Sequence, residues 1–129
     1  KSDQYETITN LALDRIVGIE VANLVYTETD IDFNEYFEDV IGVTIPLDKI
    51  EKIVLQVDKS LIPYVLTKPL HGSQKIKEID NSYEVHLYLI PNYELETLIL
   101  SFGEKIQVLE PTVLVEKLKD RIIKMKNNY

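Results

Sequence analysis

One short stretch of the chain, TKPLHGSQKI at residues 67–76, concentrates side chains that bind charged groups. It offers two ammonium groups, an imidazole, a hydroxyl and an amide, carried by Lys68, Lys75, His71, Ser73 and Gln74. Connections in small domains are usually short and chemically plain. Because charge-assisted hydrogen bonds are the strong ones, this set predicts a site for an anion such as a phosphate or a carboxylate.

The same stretch, here named the corner, has an ordinary structural interpretation as well. The side chains of Thr67, Ser73 and Gln74 are of types that bond to nearby backbone groups between a helix and a strand. Gly72 would supply the positive φ that a tight return of the chain needs. The residues by themselves leave anion binding and turn formation open.

Metal-dependent and nucleophilic chemistry have little support in the sequence. His71 and His86 are the only histidines and cysteine is absent, and His71 has no acidic neighbour at ligand spacing. Ser73 lacks the glycine-flanked turn of a hydrolase nucleophile. The glycine-rich phosphate loop with an arginine, found in acylphosphatases, is missing after the first predicted strand. We therefore expect no metal, no cofactor and no enzymatic activity.

The composition is that of a globular protein. Hydrophobic residues make up 45% and charged residues 28% of 129 residues, enough for one domain with a core and a short appendage. No apolar run approaches the roughly 20 residues of a membrane span, and no signal peptide is visible. The absence of cysteine fits a reducing cytoplasm, so we expect a cytoplasmic protein without membrane contact. Because the chain opens with KSDQYE rather than Met, we expect it to be part of a longer protein.

The net charge of −8 comes from the N-terminal part of the chain. Up to Ile50, eleven acidic residues oppose three basic ones, whereas from Glu51 onward each sign contributes eleven. A domain without net positive charge has few counterions to release and is a poor general binder of phosphate backbones. Any contact with nucleic acid is therefore expected to be local.

The N-terminal part predicts strands followed by a short helix. Residues 8–26 are rich in β-branched side chains, which predicts one or two strands. The acidic segment, residues 28–39, carries six carboxylates, but it lacks the loop pattern of a calcium site. Asp32, with Glu35 three residues later, predicts a helix N-terminus.

Three aromatic residues of the acidic segment, Phe33, Tyr36 and Phe37, fall at helical spacing and predict one aromatic stripe. Gly42 and Pro46 then close the segment, and a domain boundary is predicted near residues 46–50.

The remainder of the chain alternates strand and helix patterns. Strands are predicted at residues 52–58, 74–79, 82–90 and 105–110, and helices over 60–66, after Asn92 and after Pro111. Local signals are an N-cap at Ser60, a turn at Asn81-Ser82, an N-cap at Asn92 and a left-handed Gly103. The last predicted helix has a single apolar stripe, formed by Leu114, Leu118, Ile122 and Met125. The order β-α-β-β-α-β predicts an α+β, ferredoxin-like sandwich with a C-terminal helix. An N-terminal strand and an acidic helical linker precede it.

The strand alternation assigns each side chain to a face of the predicted sheet. The helix-covered face is expected to bury Leu55, Val57, Val85, Leu87, Leu89, Ile106 and Val108. The other face carries Gln56, Glu84, His86 and Tyr88. RNA-recognition motifs stack bases on aromatic residues of their central strands. This face offers only His86 and Tyr88, which favours a solvated or dimer-covered face instead.

Four strings resemble the C-terminal WCX extension of WYL-domain transcriptional regulators. They are KPLHGSQKI, IPNYELETLILSFGEKIQVLEP, DFNEYFEDVIGV and LALDRI, the last being similar to the end of the WYL β-barrel. The resemblance implies a bacterial regulator with an N-terminal winged helix-turn-helix, a central SH3-like WYL barrel and this terminal module. Residues 1–27 would then be terminal strands of a truncated WYL barrel, residues 28–50 a linker, and residues 51–129 the WCX-like domain.

The resemblance also implies partners and site residues. Such regulators are thought to sense a ligand, in some members a nucleotide or nucleic-acid fragment, and to form homodimers partly through the terminal module. DNA would be contacted only through a helix-turn-helix absent from this chain. The ligand-binding residues implied are Arg15, Lys68, His71, Ser73, Gln74 and Lys75, with the corner presented outward. The interface residues implied are Phe33, Tyr36, Phe37, His86 and Tyr88.

The sequence thus predicts a non-enzymatic module for ligand sensing and dimerisation in a transcriptional regulator. Two alternatives stay open: a purely structural protein-interaction domain, and a small-molecule-binding regulatory domain of metabolic type. Fold alone does not decide among them.

Overall fold

A computed structural model describes residues 8–46 and 48–129 of the chain. Two compact units are present, Lys1–Ile31 and Asp32–Tyr129. The second unit contains a four-stranded sheet with helices.

The first unit contains one 3-10 turn, Leu13–Arg15, and no strand among residues 8–31. The strands predicted for residues 8–26 are therefore wrong for this chain, and residues 1–7 lie outside the described part. A strand is stable only where a neighbouring strand pairs its backbone groups. The three ladders of the described residues involve only segments between Glu51 and Glu110. The assignment of residues 1–27 to a WYL barrel stays a prediction.

Helix α1, Phe33–Tyr36, begins where the sequence predicts. The carboxylate of Asp32 accepts hydrogen bonds from the backbone N–H groups of Asn34 and Glu35, at 2.9 and 3.4 Å. These are donors that a helix N-terminus leaves without partners. The N-cap at Asp32 is confirmed.

The chain that follows α1 packs on the sheet-containing domain. Val40 is buried, and the carbonyl oxygen of Asp39 accepts a hydrogen bond from the N–H of Ile90 at 2.7 Å. The amide of Asn92 donates to the carbonyl oxygens of Ile41 and Thr44, at 2.8 and 2.9 Å. Residues 37–44 are thus attached to the domain along their backbone, while the domain limits near residues 46–50 stay a prediction.

The sheet has four strands, β1 Glu51–Val57, β2 Lys75–Ile79, β3 Ser82–Leu89 and β4 Ile106–Glu110. Their order is β2-β3-β1-β4, and every neighbouring pair is antiparallel. The four predicted strands are confirmed to within one residue at each end. The β2–β3 hairpin turns at Asp80 and Asn81, both with positive φ (46° and 67°), one residue before the predicted turn. Asn and Asp tolerate this left-handed conformation better than other side chains.

Three longer helices complete the domain: α2 Ile62–Thr67, α3 Tyr93–Ser101 and α4 Thr112–Lys126. Asn92 caps α3 through a 2.8 Å hydrogen bond from the N–H of Leu95, as predicted. Gly103 has φ 61°, which confirms the left-handed position after α3.

The predicted cap at Ser60 is wrong, because the capping residue is Asp58, two positions earlier. A 3-10 turn, Lys59–Leu61, precedes α2, and the carboxylate of Asp58 accepts from the N–H of Ser60 at 2.9 Å. Hydrogen bonds from the Ser60 side chain and backbone lower the pKa of Asp58 below its usual 3.8. Asp58 follows β1 directly and is therefore already in place when the chain turns into the helix.

The core lies between one sheet face and the helices. All seven residues predicted for that face are buried, and they are joined by Ile53, Val65, Leu95, Ile99, Leu114 and Leu118. Because side chains alternate across a strand, alternate apolar residues of β1, β3 and β4 reach the same core.

The opposite face of the sheet, here named the outer face, is less open than predicted. Gln56 is exposed and Tyr88 is 43% exposed, but His86 is only 6% exposed and its neighbour in the register, Val54, only 5%. The expectation that His86 is exposed on this face is therefore wrong, and its role at an interface stays a prediction. Two adjacent central strands place its ring amid other side chains rather than at an edge.

Candidate functional site

The corner begins where α2 ends. The hydroxyl of Thr67 donates to the carbonyl oxygens of Pro63 and Tyr64, at 3.1 and 3.0 Å. The carbonyl oxygen of Tyr64 also accepts from the N–H of Lys68 at 2.9 Å, so the hydroxyl adds a second hydrogen bond at the end of this helix. Thr67 therefore bonds to nearby backbone groups, as the structural interpretation of the corner predicts.

Gln74 connects the start of β2 to the end of α2. Its amide nitrogen donates to the carbonyl oxygen of Val65 at 2.8 Å, and its carbonyl oxygen accepts from the N–H of Leu70 at 2.9 Å. Both groups of the side chain are thereby used inside the protein. Buried backbone groups are almost always paired, and here a side chain supplies the pairing.

His71 joins the corner to the acidic segment. Its Nε2 lies 2.6 Å from the carbonyl oxygen of Glu38, and its Nδ1 lies 2.8 Å from the Ser73 hydroxyl and 3.2 Å from the Ser73 N–H. A carbonyl oxygen only accepts, so Nε2 carries the proton and Nδ1 accepts in the neutral ring. The imidazole is thus a bridge between residues 33 positions apart.

Ser73 carries this bridge on to the sheet. Its hydroxyl oxygen accepts a 2.9 Å hydrogen bond from the N–H of Tyr88, while its proton is available to Nδ1 of His71. The β2–β3 ladder begins at Lys75 opposite His86, so the Ser73 side chain satisfies the next free donor of β3. A continuous chain of hydrogen bonds runs from Glu38 through His71 and Ser73 to Tyr88.

Gly72 does not have the predicted left-handed conformation. Among the described residues, positive φ occurs at Gly42, Asp80, Asn81 and Gly103. The turn is instead closed by a 3.1 Å hydrogen bond from the N–H of Gln74 to the carbonyl oxygen of His71. Side chains rather than glycine geometry therefore hold the corner.

The corner presents lysines outward and keeps its other polar groups inside. His71, Ser73 and Gln74 are half-buried and bond within the protein, whereas Lys68 and Lys75 are exposed. In the described part of the chain neither lysine forms an ion pair. The expectation that His71, Ser73, Gln74 and Lys75 face outward is thus met only by Lys75. Ligand binding by the corner stays a prediction.

The outer face adjoins the corner through Lys75 and His86, which lie opposite each other in the β2–β3 register. Nε2 of His86 lies 2.9 Å from a carboxylate oxygen of Glu84. Nδ1 of His86 is buried and has no partner among the described residues. Lys75 is therefore shared by the corner and the outer face.

The sequence pattern of the WCX domain matches residues 49–126, more than half of the chain. The chain belongs to the WCX domain family. The matched range contains the whole sheet, the corner and helices α2, α3 and α4. Membership suggests a regulatory domain of WYL-type regulators and agrees with the WCX extension that the sequence resembles. No curated protein matches the chain.

The remaining predicted ligand residue, Arg15, belongs to the first unit and ends the 3-10 turn there, exposed. It lies outside the range that matches the WCX domain. The structure therefore brings Lys68, His71, Ser73, Gln74 and Lys75 together in the corner, and Arg15 is described with the first unit alone.

The aromatic residues of the acidic segment form a cluster beside the WCX domain proper. Ring centroids are 4.8 Å apart for Tyr36 and Phe37, and 6.5 and 6.3 Å for Phe33 with each of them. Phe33 is 48% exposed, while Tyr36 and Phe37 are half-buried. The predicted aromatic stripe is confirmed, and Phe33 is its accessible member.

The WCX domain contains two cavities that the sequence does not predict. One, of about 470 Å³, lies at the N-termini of α3 and α4 and is lined by both signs of charge, from Asp48, Lys49, Glu51, Glu96 and Lys117. Arg121 lies nearby, 4.7 Å from the ring centroid of Tyr93 and 3.4 Å from Glu96. The other, of about 510 Å³, is an apolar groove beside α4. Neither shows in sequence, because each is lined by segments far apart in the chain.

Across residues 8–46 and 48–129, no group of three or more acidic or histidine side chains is arranged to hold a metal ion. None of the helices in that part of the chain has the length and apolar character needed to cross a bilayer.

Proposed function

We propose that this WCX domain is a non-enzymatic ligand-sensing and dimerisation module of a helix-turn-helix transcriptional regulator. The observation that carries the proposal is the bridge from Glu38 through His71 and Ser73 to Tyr88, with two free ammonium groups beside it. It couples the corner to the backbone of the segment that leads into the domain. A ligand bound at the corner would therefore act on that connection.

The ligand class follows from the groups that remain available. Lys68 and Lys75 are exposed cations at the two ends of the corner, which suits an anion that reaches both. We propose a nucleotide or a short nucleic acid as the effector. Such an effector shifts the subunit arrangement only by its difference in affinity for the two arrangements, and that shift would change the spacing of DNA-binding heads.

We propose a ferredoxin-like fold for the domain. The order β2-β3-β1-β4 with antiparallel neighbours supports it, because β1 and β2 then run parallel with β3 between them. Helix α2 connects β1 to β2, and α3 connects β3 to β4, which is the split βαβ arrangement.

Titration of the chain with nucleotides and short oligonucleotides, followed by calorimetry, tests the ligand proposal. The variant Lys68→Ala/Lys75→Ala removes both cations but keeps the bridge, and we expect its affinity to fall roughly tenfold or more. The matched control Lys59→Ala/Lys77→Ala removes two other exposed lysines and should bind as the parent does. Equal affinities for the two double variants would contradict a role of the corner.

One observation favours a second candidate, a small-molecule regulatory domain. The cavity of about 470 Å³ has cationic and anionic side chains on its wall, which suits a zwitterion such as an amino acid. Thermal stabilisation by amino acids but not by nucleotides, lost in Lys117→Ala, would support this candidate over the first. The protein-interaction alternative draws on the exposed ring of Phe33.

A further inference from the structure

Helix α4 carries an apolar stripe that the domain only half covers. Leu114 and Leu118, in the first part of the helix, are 2% and 5% exposed. Ile122 and Met125, one and two turns later on the same stripe, are 51% and 50% exposed. Contiguous apolar surface of this kind marks a place where another surface binds.

The exposed half of the stripe forms one wall of the apolar groove. Leu100, Ile106 and Val108 contribute to its other walls, and the volume is about 510 Å³. A concave apolar site of this size accommodates bulky side chains of a partner. The groove is thus a preformed receptor for an apolar group, bounded by a charged helix.

The charge of α4 restricts what binds there. Residues 112–126 contain five basic and two acidic side chains, which gives the helix a net charge of +3. One residue of each sign, Lys119 and Glu104, lines the groove itself. Beyond it the last part of the helix carries Lys124 and Lys126 and no carboxylate, while Arg121 is paired with Glu96. Two copies packed groove against groove would bring these like charges together, which costs free energy. An acidic partner with an exposed apolar group is favoured instead.

The chain itself contains a segment with those properties. Residues 32–39 carry four carboxylates and no basic side chain, and Phe33 projects from them 48% exposed. The Asp32 cap and the ring contacts of Phe33 with Tyr36 and Phe37 hold this segment in a defined conformation. A preorganised segment loses less conformational freedom on binding than a disordered one.

We infer that the groove beside α4 is occupied by the acidic segment of a second copy of this chain, with Phe33 inserted between the groove walls. The inference rests on the dimerisation part of the proposed function and names its contact. With two-fold symmetry the exchange is reciprocal, so each dimer contains two copies of the same contact. The carboxylates of residues 32–39 then lie against the basic end of α4.

Sedimentation equilibrium of the whole chain tests the contact with variants matched on one helix. Ile122→Asp places a carboxylate in the groove, whereas Ile123→Asp changes the next residue, which is 56% exposed and does not line the groove. We expect Ile122→Asp and Phe33→Asp each to weaken dimerisation roughly tenfold or more, because each leaves a charge in an apolar contact. Ile123→Asp should have little effect, and circular dichroism confirms that all three variants fold.

Mixing the two damaged variants distinguishes this contact from other dimers. A heterodimer of Phe33→Asp with Ile122→Asp retains one undamaged contact, the intact Phe33 of one copy in the intact groove of the other. We therefore expect the mixture to form dimers more strongly than either variant alone. A dimer built groove to groove would gain nothing from mixing, and that result would overturn the inference.

The outcomes also separate this inference from the proposed function. Dimers unaffected by Ile122→Asp would overturn the contact while leaving dimerisation intact. A parent chain that is monomeric at every concentration would overturn both the contact and the dimerisation role. Weakening by Ile123→Asp as strong as by Ile122→Asp would likewise overturn the groove as the receptor.

Discussion

In the corner, polar side chains are turned into the protein, whereas in the groove beside α4, apolar side chains are left facing outward. His71, Ser73 and Gln74 have the chemistry of a binding site, yet their polar atoms hold a helix end, a strand end and the acidic segment together. Ile122 and Met125 have the chemistry of a core, yet half of each side chain is exposed. Residue type therefore indicates what a side chain is able to do, and its neighbours decide which use is made of it.

The largest expected difference in stability is between the buried and the exposed half of the α4 stripe. Leu114→Ala deletes a side chain that is 2% exposed, and we expect a loss of about 2–5 kcal/mol in the free energy of unfolding. Ile122→Ala deletes one that is half exposed, and its cost should be less than about 1 kcal/mol in the monomer. Urea unfolding at low protein concentration measures both. Similar costs would mean that the two halves of the stripe are buried alike.

Within the corner, the side chain of Gln74 points inward and that of Lys75 points outward. Gln74→Ala leaves the carbonyl of Val65 and the N–H of Leu70 without their partner, so we expect a cost of about 1–3 kcal/mol. Lys75→Ala removes an exposed ammonium group and should change stability by about 0.5 kcal/mol or less. A Lys75→Ala cost equal to that of Gln74→Ala would contradict the division of roles in the corner.

Two glycines extend this comparison to the backbone. Gly42 has φ 75°, and a Cβ there would lie 2.8 Å from Cγ of Glu94. Gly42→Ala is therefore expected to cost about 1–2 kcal/mol, from the left-handed conformation. At Gly72 a Cβ would meet nothing within 4 Å and φ is not in the left-handed range, so Gly72→Ala should be neutral or slightly stabilising. Thermal melts of both variants provide the measurement.

The smallest effect concerns Asp58, where a polar side chain shapes a local turn rather than a long-range contact. The folded-state pKa of Asp58 is lowered below 3.8 by its hydrogen bonds to Ser60. Its ionised form therefore adds stability above that pH, and the contribution is lost as the pH falls through the folded-state pKa. Asp58→Asn should slightly lower the melting temperature at neutral pH, with the difference from the parent shrinking below pH 3.8. A difference that grows in acid would contradict the assignment.

Much of the fold is predictable because its signals are local. The alternation of apolar residues predicts the strands and the core face, since successive side chains of a strand point to opposite faces. Asp32, Asn92 and Gly103 mark helix ends because the capping bonds span only a few residues. The WCX family is likewise visible in the sequence, because the match covers residues 49–126 as a whole.

The candidate site is less predictable because its contacts cross the chain. The residues of the corner are evident from their types, but the 33-residue separation of His71 from Glu38 hides the bridge between them. The same holds for the groove, since α3, β4 and α4 each supply part of its wall.

By itself the sequence determined which segments become strands and helices from residue 51 onward, which face of each is apolar, and where most of them end. These properties depend on backbone sterics, side-chain period and caps, all of which act within a few residues. Only the tertiary structure decided that His86 is buried, that the apolar stripe of α4 extends past the core, and that residues 8–31 form no strand. Burial and strand pairing depend on neighbours brought together by the whole fold, and no short stretch of sequence contains that information.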